Sequence, residues 1–138
     1  ECARMCPFGE VYAVEYKPEA LDILEQNKTR FQTKNLQIIA GRAEEQVQHL
    51  PVPDCVFLGG SSGAAKQLVA GLRQLRQPVR LVASAVTMET QAELFPLLQE
   101  LPQFEVVQLA VGCGKTVGNY HVLEGNHPVL LFSCMTKE

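Results

Sequence analysis

Short apolar runs alternate with stretches of helical period along most of this 138-residue chain, and few architectures other than a layered sheet with crossover helices accommodate that alternation. The runs VYAVE (11–15), LQIIA (36–40), DCVFLGG (54–60), VRLVASAV (79–86), FEVVQLAV (104–111) and HPVLLFSC (127–134) predict strands. The first four are apolar at consecutive positions, which predicts parallel strands covered on both faces. Between them, Pro18 to Phe31 presents Leu21, Leu24 and Phe31 on one face, with Pro18 in a first turn where its missing N–H costs nothing. Ala65, Leu68, Leu72 and Leu75 repeat the device. A further helix starts near Thr87, a good N-cap, with Glu89 suited to the N-terminal dipole. A proline in a helix interior costs up to about 3 kcal/mol, so Pro96 predicts a kink or an early break there. The last two runs are joined by the glycine-rich stretch 112–126, which lacks a helical period, and they predict an antiparallel pair at the end of the sheet. The class is therefore α/β, and residues 1–138 suffice for one domain with a closed core.

Composition excludes several functions. The formal charge is −3 with Lys and Arg scattered singly, whereas a nucleic-acid surface clusters its basic residues. No apolar run approaches the roughly 18 to 20 residues of a membrane helix. A small-molecule or protein partner is expected instead. Cys2, Cys6, Cys55, Cys113 and Cys134 make an odd count in a chain too large to need staples. Cys55 and Cys134 fall within apolar runs, as buried thiols do, which points to a reducing cytoplasm. Cys2 and Cys6 have the wrong spacing for a zinc knuckle, and His49, His121 and His127 are far apart in sequence, so no metal is expected.

Three places could carry chemistry. Glu15 closes the first apolar run, and a carboxylate there can accept both hydrogen bonds of a ribose diol; it could equally be a solvated strand end. AGRAEE (40–45) follows the next strand, where the turn of a nucleotide-binding sheet passes the adenine; Glu44 and Glu45 also suit a helix's first turn. LGGSSG (58–63) places three glycines and two serines after a strand, which allows close backbone approach to a ligand and anion capture at the following helix. Gly60 in particular is expected either to leave space for a ligand or to take a positive φ. GCGKT (112–116) is not a P-loop, because Leu109 stands where the pattern requires its first glycine. No G-x-S-x-G elbow presents Ser61 or Ser62 as a nucleophile.

A parallel sheet finished by an antiparallel hairpin is also the architecture of Rossmann-like class I methyltransferases. More specifically, VYAVEYKPEAL, NLQIIAGRAEE, PDCVFLGGSSG, RLVASAVTMET and HPVLLFS resemble, in order and spacing, the decarboxylating precorrin methyltransferase family of cobalamin biosynthesis. That family is similar to the C-terminal half of precorrin-6Y C5,15-methyltransferase. The resemblance implies methyl transfer from S-adenosylmethionine to C15 of a precorrin or cobalt-precorrin, with loss of CO2 from the acetate at C12. It implies Glu15 as ribose ligand, Gly41, Arg42 and Ala43 as the adenine turn, and Gly59 and Gly60 as part of the floor under the donor and macrocycle. Ser61, Ser62, Gly63, Ser84 and Lys115 are the candidates for the tetrapyrrole side, Lys115 for a substrate carboxylate. It further implies a homo-oligomer, a tetramer, and a fused or partner C5-methyltransferase domain. The family usually carries Asp where Arg42 stands and Asn where Ser84 stands. Arg42 has no acceptor, so backbone groups are expected to read adenine in this turn.

A glycine-rich loop should precede such a carboxylate by about 20 residues. Only 14 residues precede Glu15, with Gly9 their only glycine, and ECARMCPFG reads as the end of a first helix and its exit turn. The first strand and its glycine loop are thus expected to lie outside this sequence. Two functions of different class follow: a methyltransferase domain lacking its front, inactive in isolation, or a non-catalytic α/β module that keeps the fold for assembly.

Overall fold

A computed structural model describes residues 1–60 and 63–138, which divide into two compact units, Glu1–Pro51 and Val52–Glu138. The first unit runs α1 (Cys2–Met5), β1 (Val11–Glu15), α2 (Pro18–Arg30), β2 (Leu36–Ala40) and α3 (Ala43–Gln46). β1 and β2 are parallel, in register from Val11 opposite Leu36 to Glu15 opposite Ala40. Parallel neighbours need a crossover, and α2 supplies it, with Pro18 in its first turn and Lys28 and Arg30 in its last, where they complement the dipole. Its apolar face is only partly covered: no residue of α2 is fully buried, and Phe31 just beyond it is half exposed beneath the guanidinium groups of Arg4 and Arg30, 5.7 and 5.3 Å from the ring centroid.

Asn35 ties this unit together at the entrance to the strands. Its side-chain amide donates to the carbonyl oxygens of Ala3, Cys6 and Gly9 at 3.0, 2.8 and 3.0 Å, and its own carbonyl accepts from the Val11 N–H at 2.9 Å. Carbonyls at a helix exit have no partner within the helix, and one side chain here supplies a shared donor.

The second unit contains β3 (Cys55–Leu58), α4 (Ala65–Gln74), β4 (Arg80–Ala85), α5 (Met88–Leu98), β5 (Glu105–Leu109), β6 (Gly112–Val117), β7 (Tyr120–Gly125) and β8 (Val129–Met135). Its four-stranded sheet has the order β3-β4-β8-β5; β3 and β4 are parallel, and β8 runs antiparallel to both β4 and β5. The antiparallel ending expected from the last two apolar runs is present. The core is built by Leu68, Val69 and Leu72 of α4, Leu94 and Leu98 of α5, and Leu81, Phe132 and Cys134 of the sheet. Thr136, buried, closes it by accepting from the Val79 N–H at 3.0 Å while its own N–H donates to the Val79 carbonyl at 2.9 Å.

Four expectations are corrected. Of the kink or early break expected at Pro96, the early break does not occur: α5 continues to Leu98, because the lost hydrogen bond falls in the final turn, where buried Leu94 and Leu98 hold the packing. Cys55 is exposed, unlike Cys134. β3 alternates, with Val56 and Leu58 half-buried and Cys55 and Phe57 exposed, so it is not covered on both faces. The stretch 112–126 is not a plain connection but forms the antiparallel ribbon β6–β7, turning at Gly118 and Asn119 and exposed along its whole length. Among the described residues, β1 pairs only with β2, and β3 pairs with β4 alone. No helix among them is long and apolar enough to cross a membrane.

Candidate functional site

Glu15 ends β1, and its position there is fixed by local hydrogen bonds. One carboxylate oxygen, Oε1, accepts from the backbone N–H groups of Tyr16 at 2.8 Å and Lys17 at 2.9 Å. Those two N–H groups lie where the chain leaves the strand for α2, so the carboxylate is oriented by the entry to the helix. A carboxylate has about four acceptor positions, and two N–H groups on one oxygen leave capacity for an incoming diol.

The turn after β2 is brought to the same end of the strand pair. The Gly41 N–H donates to the Glu15 carbonyl at 2.9 Å. Gly41 has φ +146°, a conformation that L side chains rarely adopt, and a Cβ there would lie 2.8 Å from the Gln46 amide nitrogen, so a side chain would be strained and the Gln46 side chain would have to shift. Arg42 is extended, with φ −85° and ψ 137°, and precedes α3 as its N-cap residue; Ala43, half-buried, begins the helix. The Arg42 Nε donates to Glu44 Oε1 at 2.7 Å, and the Arg42 guanidinium lies 5.0 Å from the centroid of the Tyr16 ring. This hydrogen bond pushes the Arg42 pKa up and the Glu44 pKa down, so both remain charged. Lys17 Nζ is 5.8 Å from the same ring.

In the second unit, Gly59 and Gly60 follow β3. Leu58 pairs with Ala83, so the next residues, Gly59 and Ser84, continue from neighbouring strands. A Cβ at Gly59 would touch the Phe57 ring at 3.5 Å, whereas one at Gly60 would meet nothing within 4 Å. Gly60 does not take a positive φ; Gly63 does, at +84°. Ser61 and Ser62 lie outside the described residues. Ser84 is half-buried in β4, opposite Leu131 of β8. Lys115 lies on the β6–β7 ribbon, where its ammonium group is 3.1 Å from both carboxylate oxygens of Glu124; both side chains are more than half exposed. Glu15, Gly41, Arg42 and Ala43 are therefore assembled at one strand end, while Gly59, Gly60 and Gly63 follow the end of β3 and Ser84 lies within β4, one residue from its end. Lys115 stands apart on a ribbon that pairs with no strand of the four-stranded sheet.

Tyr16 was not singled out by the residue pattern, although an aromatic ring directly after a strand-end carboxylate was a visible signal. Glu44 was legible only as a first-turn acid. A shallow open concavity lined by Glu25, Lys28, Thr29, Gln32, Thr33 and Lys34 lies at the opposite end of α2 from Glu15 and contains none of these residues.

The sequence profile of the precorrin methyltransferase domain family matches residues 1–136. The cobalt-precorrin-6B C(15)-methyltransferase (decarboxylating) of Salmonella typhimurium is 29% identical over 141 aligned positions, covering 100% of this chain and 72% of that protein. The precorrin-6Y C(5,15)-methyltransferase (decarboxylating) of Sinorhizobium sp. is 32% identical over 88 residues, which are 64% of this chain and 21% of that much longer one. Among solved structures, precorrin-6y C5,15-methyltransferase from Geobacter metallireducens superposes with a TM-score of 0.86 and 27% identity, covering 95% of this chain and 70% of that one.

Proposed function

Because the chain belongs to the precorrin methyltransferase domain family and has its Rossmann-like α/β fold, we propose that it transfers a methyl group from S-adenosylmethionine to C15 of a precorrin or cobalt-precorrin, with decarboxylation of the C12 acetate. The observation that carries this assignment is the Glu15 carboxylate. It is oriented by two backbone N–H groups at a strand end and retains acceptor capacity for a ribose diol. Gly41, whose positive φ favours glycine, together with Arg42 and Ala43, forms the turn beside it where the adenine would lie.

S-adenosylmethionine, when bound, supplies an electrophilic methyl group on a sulfonium. The chain's own residues orient and enclose. In the first unit Glu15 is offered to the ribose; in the second, the side-chain-free positions Gly59 and Gly60 leave the backbone open to close approach by a ligand. Gly63 and Ser84 are the candidates for the substrate side in that unit, Ser61 and Ser62 lying outside the described residues, and Lys115 would have to leave Glu124 to meet a substrate carboxylate. In-line methyl transfer gains much of its acceleration from alignment and exclusion of water, and the carbon that loses CO2 takes up a proton to become a methyl group. Decarboxylation releases an electron pair that the conjugated tetrapyrrole can accept. The relatives described above are enzymes by name, which favours catalysis over a purely assembling module.

The test is mass spectrometry of a precorrin or cobalt-precorrin that carries the C12 acetate, incubated with S-adenosylmethionine and the full-length protein that contains this chain. One methyl gained and one carboxyl lost per substrate are expected. A protein that binds the donor yet leaves the substrate unchanged in mass would refute the assignment.

A further inference from the structure

In the reaction proposed above, on which this inference rests, the carbon that loses CO2 must receive a proton, and some group at the substrate side must deliver it. In open α/β sheets ligands bind beyond the carboxyl ends of the parallel strands. β3 and β4 are parallel, so Gly59 and Gly60 after the first and Thr87, the cap of α5, after the second lie at one edge of the sheet. β8 enters at that same edge, because it runs antiparallel to β4 with Leu130 opposite Ala85, the last residue of β4. The residues just before Val129 therefore extend past the end of β4.

That entry is irregular. β5 and β8 pair as far as Leu109 opposite Val129, and the ribbon begins with Gly112 opposite Gly125, so residues 110 and 111 face residues 126, 127 and 128. The Asn126 N–H still donates to the Val111 carbonyl at 2.8 Å, which leaves His127 and Pro128 against Ala110 alone. The surplus residue makes a bulge, and Pro128 within it has no N–H to give to the ladder. A bulge releases a side chain from the alternation of its strand, and bulges recur beside active sites for that reason. His127 is exposed, and among the described residues no hydrogen bond or ion pair engages its side chain. The other histidines are elsewhere: His49 belongs to the first unit, and His121 lies out on the ribbon opposite Thr116. Lys115 and Glu124 are engaged with each other. We infer that His127 is the general acid that protonates the decarboxylated carbon.

The step balances. The bond between the acetate methylene and its carboxylate breaks, CO2 departs, and the electron pair passes into the conjugated macrocycle. The pair returns to the methylene carbon as that carbon bonds the imidazolium proton, giving a methyl group, and water then reprotonates the imidazole. Imidazole is the side chain whose ordinary titration lies nearest neutrality, so it can both give up a proton and recover it.

The test uses the full-length protein that contains this chain, with S-adenosylmethionine and a precorrin or cobalt-precorrin carrying the C12 acetate, and follows loss of the carboxyl mass with time. His127→Ala and His127→Asn should slow carboxyl loss by about 100-fold or more, the usual worth of a general acid. Their affinity for S-adenosylhomocysteine should stay within about twofold of wild type, which shows that both are folded. Added imidazole should restore much of the rate to His127→Ala, because the exposed position admits it; a residue with a purely structural role in the bulge would not respond. His121→Ala, at the histidine within the ribbon, should change neither rate nor affinity. Carboxyl loss at the wild-type rate in either His127 variant, or a slowed His127→Ala that imidazole leaves unmoved, would overturn the inference and leave the reaction standing. A wild-type protein that leaves the substrate unchanged would overturn the reaction itself, and this inference with it.

Discussion

Replacing Glu15 separates its two tasks, because one carboxylate oxygen holds the entry to α2 and the carboxylate's remaining capacity is offered to the ribose. In Glu15→Ala the N–H groups of Tyr16 and Lys17 lose their partner, but they lie next to a half-exposed strand end where water can replace it. The expected loss of stability is therefore about 1 kcal/mol, below the usual worth of hydrogen bonds to a charged group because water takes the partner's place. The donor, in contrast, loses its hydrogen bonding to an ionised acceptor, worth about 1.5 to 3 kcal/mol in all, so affinity should fall roughly 10- to 150-fold. Glu15→Gln discriminates further. Its amide oxygen can still accept from both backbone N–H groups, so stability should return to within a few tenths of a kcal/mol of wild type, about the size of a neutral surface substitution. Its other terminus becomes an NH2 group, which cannot accept from a hydroxyl, so most of the affinity loss should remain. Urea unfolding gives the first quantity and titration with S-adenosylhomocysteine the second. If Glu15→Gln restored affinity along with stability, the carboxylate would be only a structural clip and the ribose assignment would be wrong.

Asn35→Ala should destabilise the first unit by about 2 kcal/mol, since an amide with two hydrogens serves three carbonyls. Asn35→Asp should cost more at neutral pH, because a carboxylate would then face three carbonyl oxygens. That environment raises the folded-state pKa of the introduced acid above its unfolded value, so stability should recover as pH falls and be lost as pH rises through the folded-state pKa; urea titrations over a pH series would show it. An Asp variant as stable as Ala at every pH would refute the clamp. Gly63→Ala should lose about 1 to 2 kcal/mol for its positive φ, while Gly60→Ala should be nearly neutral in melting temperature. Gly60→Val should reduce turnover more than stability, and equal losses in both would make that loop purely structural.

The sequence by itself determined the six main strands, the crossover helices and the antiparallel ending, because each rests on a local signal: a consecutive apolar run, a 3.6-residue period, a proline in a first turn, a threonine cap. Thr87 does cap α5, accepting from the Thr90 N–H at 3.2 Å. Glu15 was legible for the same reason, being a lone carboxylate where a strand gives way to a helix. The ribbon β6–β7 was not, since it is exposed on both faces and its residues carry no apolar alternation to mark strands; cross-strand pairing alone defines it. The burial of Cys134 and the exposure of Cys55 likewise could not be separated by composition. Both stand in apolar runs, and only the covering of one strand face and not the other distinguishes them. The Tyr16–Arg42–Glu44 cluster was the least visible, because it joins residues 26 positions apart through the parallel register that sets Glu15 opposite Ala40. Sequence spacing determines which faces of a helix or strand its side chains share; which side chains meet across two strand ends depends on register and turn geometry, and those are set only when the strands pair.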